Sequence, residues 1–315
     1  MARTFNVVNQ SVRKIDALAL ALGRPMYALD RVPEDALVIK FLWSPHAHAI
    51  IKSIDVSGAE KMPGVHCVLY HGNVPRVPHT TAGQGYPEPS PYDTYMFDRK
   101  VRFVGDRVAA VAAESVEIAE RALAAIKVEY EVLPAVLSID DAMKPGAPVI
   151  HDEPETHAKI PVPYEPQKNM AAFVGMDVGS LKEGLAEADA MVDQAYYAHY
   201  AQHCPIEPHV ALSYIDPEGR LVIVTSTQVP FHVRRIVAQC LEIPVRQIRV
   251  IKPRIGGGFG VKQEVLVEDV VGMMALRTQR PCWLDYTRGE EFVSARTRQP
   301  IRTRLRLGAK KDGTI

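Results

Sequence analysis

The chain has 315 residues, more than one domain usually holds, so two domains are expected. Its 37 basic and 37 acidic residues cancel and are spread along the chain. That balance excludes the basic footprint of a nucleic-acid binder and favours a small or neutral partner.

The opening stretch, Met1-Ala2-Arg3-Thr4-Phe5-Asn6, has no apolar run like a secretory signal, and the apolar stretch 17–22 is far too short to cross a bilayer. A cytoplasmic protein with no membrane partner is expected. Residues 37–42 form an apolar run suited to a strand. Ser57-x-x-Glu60 has capping-box spacing and predicts a short helix closed by Pro63-Gly64, with residues 65–70 returning as a strand. The loop composition of residues 79–95, rich in Gly, Pro, Ser and Thr, separates this unit from a second one. There, 107–113 is a buried apolar strand. Ser115 caps a helix with Ile118, Ala122, Ala125 and Ile126 on one face, and 127–132 alternates like a strand with one wet face. Both units are expected to lay their helices on a common sheet.

Residues 144–167 are dense in Pro, Glu and His and read as an interdomain linker. Beyond them, Ser180-x-x-Glu183 predicts a helix ending near Asp189, followed by strands at 191–200 and 210–215. The turn Asp216-Pro217-Glu218-Gly219 and a strand at 221–226 come next. Pro230 suits the first turn of a helix whose apolar stripe is Val233, Ile236, Val237, Cys240 and Leu241. A strand at 248–251 leads into Gly256-Gly257-Gly258-Phe259-Gly260, and a helix is expected over 263–277. Residues 301–307 alternate as a strand, and Lys311-Asp312-Gly313 is a turn before Ile315. No returning strand follows, so an unpaired edge and a fragment or split subunit are expected.

A glycine-rich loop between an apolar strand and a helix can hold an anion on backbone N–H groups and the helix N-terminus, or it can be a tight packing turn. The third glycine of a dinucleotide-binding fingerprint would fall on Val261, and no Gly-Lys-Ser/Thr follows at P-loop spacing, so nucleotide readings fail. The four cysteines, Cys67, Cys204, Cys240 and Cys282, lie far apart without C-x-x-C spacing. They encode no zinc or iron–sulfur site locally and read as buried free thiols. Among the histidines, His46 and His48 lie two apart, and His199, His203 and His209 fall on strand and loop, with no zinc-protease spacing.

Longer runs are specific. Thr225-Ser226-Thr227-Gln228-Val229-Pro230, His232-Val233-Arg234-Arg235, Ile243-Pro244-Val245-Arg246 and Gly256-Gly257-Gly258-Phe259-Gly260-Val261-Lys262-Gln263 resemble the molybdenum-cofactor subunits of the xanthine dehydrogenase/aldehyde oxidase family. So do Ser44-Pro45-His46-Ala47-His48-Ala49, Met62-Pro63-Gly64-Val65, Val104-Gly105-Asp106-Arg107 and Tyr130-Glu131-Val132-Leu133-Pro134, in the same order. The resemblance implies an α+β fold. An α/β hammerhead domain would occupy 1–143 and a linker 144–167. The first part of a mixed α/β molybdenum-cofactor-binding domain, incomplete at its C-terminus, would occupy 168–315.

The resemblance also implies a molybdenum–molybdopterin cofactor, in its cytosine dinucleotide form, that hydroxylates an electron-poor carbon with oxygen from water. Electrons would leave through [2Fe-2S] clusters and FAD on partner subunits. Gln228 matches a glutamine that approaches the metal's apical oxo group, for which an amide N–H₂ is the right donor. Gly257, Gly258, Phe259 and Gly260 match the cofactor loop, with the Phe259 N–H facing the metal. Its ring could equally anchor the loop in a core.

Gln263 matches a substrate position. Eukaryotic-type relatives hold a glutamate there against a purine, whereas some bacterial relatives have glutamine. The alternative is a solvent-facing residue in the first helical turn. Glu207-Pro208 matches a segment that supports the cofactor region. The substrate-binding arginine, the second pterin-binding domain and the general-base glutamate of the family have no counterpart here, so the remaining half of the molybdenum subunit is an expected partner and the chain is expected to be inactive alone. The expected substrate is a purine or other N-heteroaromatic. The alternatives are an aldehyde or aryl thioester, or a non-catalytic assembly role.

Overall fold

A computed structural model describes residues 5–24, 27–82 and 85–315. Part of the N-terminal stretch and of the 79–95 loop discussed above lies outside them. In chain order the elements begin with α1 (Ala17–Ala21), β1 (Leu37–Trp43), β2 (Ala49–Asp55), α2 (Ser57–Glu60), β3 (Val65–Tyr70) and β4 (Lys100–Val101). Next come β5 (Arg107–Ala113), α3 (Val116–Ala125), β6 (Lys127–Val132), α4 (Ile139–Ala142), α5 (Leu181–Ala186), β7 (Ala190–Ala198) and β8 (Val210–Ile215). The chain continues with β9 (Leu221–Thr225), α6 (Pro230–Cys240), β10 (Ile248–Ile251), α7 (Glu268–Thr278), β11 (Cys282–Asp285), α8 (Arg288–Ser294) and β12 (Ile301–Ala309). No helix among the described residues is long and apolar enough to cross a membrane.

The frame is a seven-stranded sheet in the order β10-β9-β8-β11-β1-β5-β3. It draws β1, β3 and β5 from before the 144–167 segment and β8 to β11 from after it, joined where β11 runs parallel to β1. Alternation along β1 explains why both faces are covered. Leu37, Ile39 and Phe41 point to the core under α6 and α7 with Val233, Ile236, Val270 and Met274, whereas Val38 points with Val111 to Ala119 and Ala122 of α3.

Several expectations are corrected. The two N-terminal units do share the large sheet through β1, β3 and β5, with α2 and α3 packed on it, but the last expected strand does not join them: β6 pairs with β2 in a separate three-stranded sheet with β4. Ser57 is not a cap. It is the first helical residue, and its N–H donates to Asp55 Oδ1 at 3.0 Å, because the aspartate two residues earlier competes for that amide. Ser115 does cap α3, and Ser180 caps α5, which ends at Ala186. A capping box with both bonds occurs instead at Thr287 and Glu290, at the start of α8. The strand near the C-terminus is not left unpaired: β12 pairs with β7 along its whole length. The two strands lie more than a hundred residues apart, a separation that no local pattern bridges. The thiols are free, but Cys204 is exposed and only Cys240 and Cys282 are buried.

The described residues of the 79–95 segment are irregular, as its composition predicts, yet many of them are interior. His79 and Tyr92 are fully buried, and Tyr95 nearly so. The 144–167 segment is fastened over it. Lys100 Nζ meets Asp152 at 2.7 Å, Tyr95 donates to Glu155 at 3.0 Å, and His157 stacks on Tyr92.

Candidate functional site

The connection from β9 to α6 and the loop that leaves β10 meet at the mouth of the large sheet. Gln228 lies in the first, with its N–H donating to the Lys262 carbonyl at 2.8 Å. Its side-chain Oε1 accepts from the Gly260 N–H at 3.1 Å. An amide nitrogen cannot accept a hydrogen bond, so this contact fixes the oxygen of the carboxamide on the Gly260 N–H and leaves its N–H₂ to donate elsewhere. That N–H₂ has no protein acceptor among the described residues.

Gly258 is glycine for a steric reason. A Cβ there would stand 2.5 Å from Gln228 Oε1 and 2.6 Å from its Cδ, so any side chain would push the carboxamide aside. Phe259 adopts φ +53°, and its ring is 72% exposed, which rules out the core-anchor alternative. Along the loop, the Gly256 N–H donates to Glu207 Oε2, the Gly260 N–H to Gln228, and the Val261 N–H to the Gly258 carbonyl. The N–H groups of Gly257, Gly258 and Phe259 donate to no protein atom among the described residues.

No α-helix begins at the loop. Val261–Gln263 is a single 3-10 turn, and α7 starts only at Glu268. Glu264 and Val265 run extended instead, because Ala82 bridges Glu264 and the Val265 N–H donates to Thr81. The anion-holding capacity therefore rests on loop amides and Gln228, without a helix N-terminus. Gln263 accordingly ends the 3-10 turn beside the loop rather than opening an α-helix, half-buried, with Oε1 3.8 Å from where a Gly260 Cβ would lie. His203 reaches the same spot, its Nε2 3.7 Å from it, and its buried Nδ1 has no partner. Sequence patterning placed His203 only on strand or loop. Nothing in its spacing marks the approach, which depends on the 203–208 segment folding back against Gly256.

Beneath the loop, Glu207 Oε2 accepts from the Gly256 N–H and from Lys262 Nζ, both at 2.8 Å. Burial pulls the Lys262 pKa below its ordinary value, and the adjacent Glu207 offsets this only in part. Behind them Glu291 of α8 accepts from the His209 N–H at 3.0 Å and its ring Nδ1 at 2.9 Å. Burial alone would raise the Glu291 pKa, but these bonds hold it below the ordinary range. His48 is likewise committed, its Nδ1 donating to the Pro134 carbonyl at 2.8 Å.

No group of three or more His, Cys, Asp or Glu side chains among the described residues is arranged to hold a metal ion. The donors gathered here are N–H groups. They suit a metal that arrives with its own organic ligand and presents an anionic oxygen to the protein. The fit extends to the molybdopterin implied by the sequence.

Comparison with known proteins defines the class. A model of the molybdopterin cofactor-binding domain matches residues 142–315, and a model of the aldehyde oxidase and xanthine dehydrogenase a/b hammerhead domain matches residues 22–134. The chain belongs to the molybdenum hydroxylases of the aldehyde oxidase and xanthine dehydrogenase family. Among its relatives, the probable hypoxanthine oxidase XdhD of Escherichia coli O157:H7 is 45% identical over 99% of this chain and 35% of its own length. The chain thus spans about a third of that relative's length. The large molybdopterin subunit of nicotinate dehydrogenase from Eubacterium barkeri is 30% identical over 100% of this chain and 69% of its own. The aldehyde oxidoreductase structure from Desulfovibrio gigas superposes with a TM-score of 0.79 at 28% identity, covering 95% of this chain and 32% of that one.

Proposed function

We propose that this chain forms one wall of the molybdopterin site in a hydroxylase acting on a purine or other N-heteroaromatic, with [2Fe-2S] and FAD carriers and the rest of the molybdenum site on other polypeptide. The observation that carries the reading is the Gln228 carboxamide, locked by the Gly260 N–H so that it presents donors beside the free amides of Gly258 and Phe259. When bound, the cofactor supplies the two-electron oxidation of carbon with oxygen derived from water. Gln228 would orient an anionic oxygen through its N–H₂. The Phe259 N–H would donate to the same group, and the exposed ring would screen it from water. The open face of the loop fits a site completed by further polypeptide, and so an isolated chain that does not turn over.

Gln263 and His203 flank the loop, offering an amide and an imidazole to a ring nitrogen or exocyclic oxygen. Relatives named for hypoxanthine and nicotinate, both N-heteroaromatics, favour that substrate class. The second reading, an aldehyde, is supported by the Desulfovibrio gigas structure. Kinetics of Gln263→Ala, normalised to bound molybdenum, separate the two. On a purine, loss of a buried partner lowers kcat/KM by about 5- to 150-fold, the equivalent of about 1–3 kcal/mol. On an aromatic aldehyde, whose polar atom faces the metal, the change is small. Equal small effects on both substrates reject the heteroaromatic reading, and a parent enzyme without molybdenum rejects both.

A further inference from the structure

We infer that the buried Glu207–Lys262 ion pair is a positioning device that sets the register of the 256–260 loop against Gln228, and that stability is not its role. The cofactor consequence rests on the function proposed above. The geometric claim does not.

Lys262 is tied into three segments at once. Its main-chain carbonyl receives the Gln228 N–H at 2.8 Å, which fixes the start of the connection into α6. Its ammonium, fully enclosed, reaches Glu207 Oε2 at 2.8 Å. That same oxygen takes the Gly256 N–H at 2.8 Å, while the Glu207 N–H donates back to the Gly256 carbonyl at 3.1 Å. Both ends of the loop, Gly256 and Lys262, are therefore anchored on one carboxylate oxygen. A Cβ on Gly256 would come within 2.6 Å of Glu207 Cβ, so the two segments are in direct contact. With its ends held this way, the span between them carries Gly258 onto the Gln228 carboxamide and leaves the amides of 257–259 without protein acceptors among the described residues.

The pair is poorly placed to stabilise the fold. Two charges have been taken out of water, and Glu207 Oε1 is buried without a partner among the described residues. Glu291 and Asp285 also face Lys262, so its charge is not balanced by Glu207 alone. In such settings an apolar or neutral pair of similar volume commonly folds as well, whereas loss of one partner is damaging. What a neutral pair cannot reproduce is the two-donor grip on a single oxygen.

The test compares Glu207→Gln/Lys262→Met and the single Glu207→Gln, which keeps an acceptor oxygen, with the parent. Hydrogen–deuterium exchange and thermal unfolding are measured on the full 315-residue chain, and molybdenum content and steady-state kinetics on the assembled enzyme. The double variant is expected to melt close to the parent while exchange at 257–260 rises about tenfold or more. Turnover per bound molybdenum is expected to fall by on the order of 10²-fold with KM little changed. The single variant keeps an acceptor for the Gly256 N–H, so its loop exchange and turnover fall between, whereas it melts below both because Lys262 is left without its partner. Unchanged loop exchange and turnover in the double variant overturn the inference. So does a lowered melting temperature with exchange rising throughout the chain, since the pair would then be a stability element. A parent enzyme without molybdenum removes the cofactor reading, but the exchange result still decides the positioning role.

Discussion

Gln228 shows what a single hydrogen bond decides. Because the Gly260 N–H occupies Oε1, the carboxamide has one orientation, and the role proposed for it rests on the donors left over. The usual alanine substitution confounds two effects, since it also removes the acceptor for Gly260. Gln228→Glu keeps that acceptor, deletes the donor and sets a carboxylate charge in its place, so both changes act against an anionic oxygen. With molybdenum content at the parent level by metal analysis, kcat is expected to fall by on the order of 10²-fold, as for other oriented donors to a reacting oxygen. An undiminished kcat would remove Gln228 from the role. His203 and Gln263 converge on Gly260 from separate segments, and Phe259, with its ring in solvent, offers the loop face its main-chain N–H.

The 79–95 segment and its continuation through Phe97 behave as a structural element without regular structure. Composition identifies it as a loop, but its interior position comes from what it touches: His232 lies against the Thr81 carbonyl, Glu264 accepts from Thr81 Oγ1, and Glu88 accepts from Tyr92 at 2.5 Å. His79 is fully enclosed, with Nδ1 donating to the Val77 carbonyl at 3.2 Å, and burial lowers its pKa from 6.5 to about 4. Between those values the unfolded chain binds a proton that the folded chain does not. The contribution is therefore complete above about pH 6.5 and is lost as pH falls toward 4, by about 3 kcal/mol in all. His79→Asn retains a donor for Val77 but does not titrate. Urea unfolding from pH 7 to 4.5 should show a flatter loss of stability in the variant, whatever its absolute stability. Equal slopes would mean that His79 reaches water and titrates normally.

At the scale of the molecule, the large sheet binds the two halves of the chain together, and a buried ion pair reinforces the seam. Arg107 of β5 grips Asp269 of α7 with Nη1 at 2.9 and 3.1 Å from its two carboxylate oxygens, and Nη2 reaches the Tyr95 carbonyl. Asp269 is fully buried. Asp269→Ala leaves the guanidinium enclosed and unpaired, so it should destabilise the chain by about 3–5 kcal/mol, whereas Arg107→Met/Asp269→Leu should cost much less. Equilibrium urea unfolding of the three chains checks this. A small loss in the single variant would show that water reaches Arg107. The 144–167 segment adds to the same coupling through Lys100–Asp152 and the His157–Tyr92 stack.

The sequence by itself determined the elements whose signals are local. Ser115 caps its helix through its own Ile118 N–H, the apolar runs of β1, β5 and β9 are buried, and Pro230 opens α6. It also determined the family, because long ordered motifs are retained. The glycine loop could be picked out as an exceptional segment for the same reason. Only the tertiary structure decided what depends on residues far apart in the chain. Strand β12 finds β7 more than a hundred residues upstream, the helix expected from Gln263 is displaced to Glu268 by a bridge to Ala82, and Ser57 gives its N–H to Asp55 instead of capping its helix. The orientation of Gln228 and the anchoring of Lys262 on Glu207 are decided in the same way. Hydrogen bonds are satisfied by whatever group stands within about 3 Å, and sequence separation places no limit on which group that is.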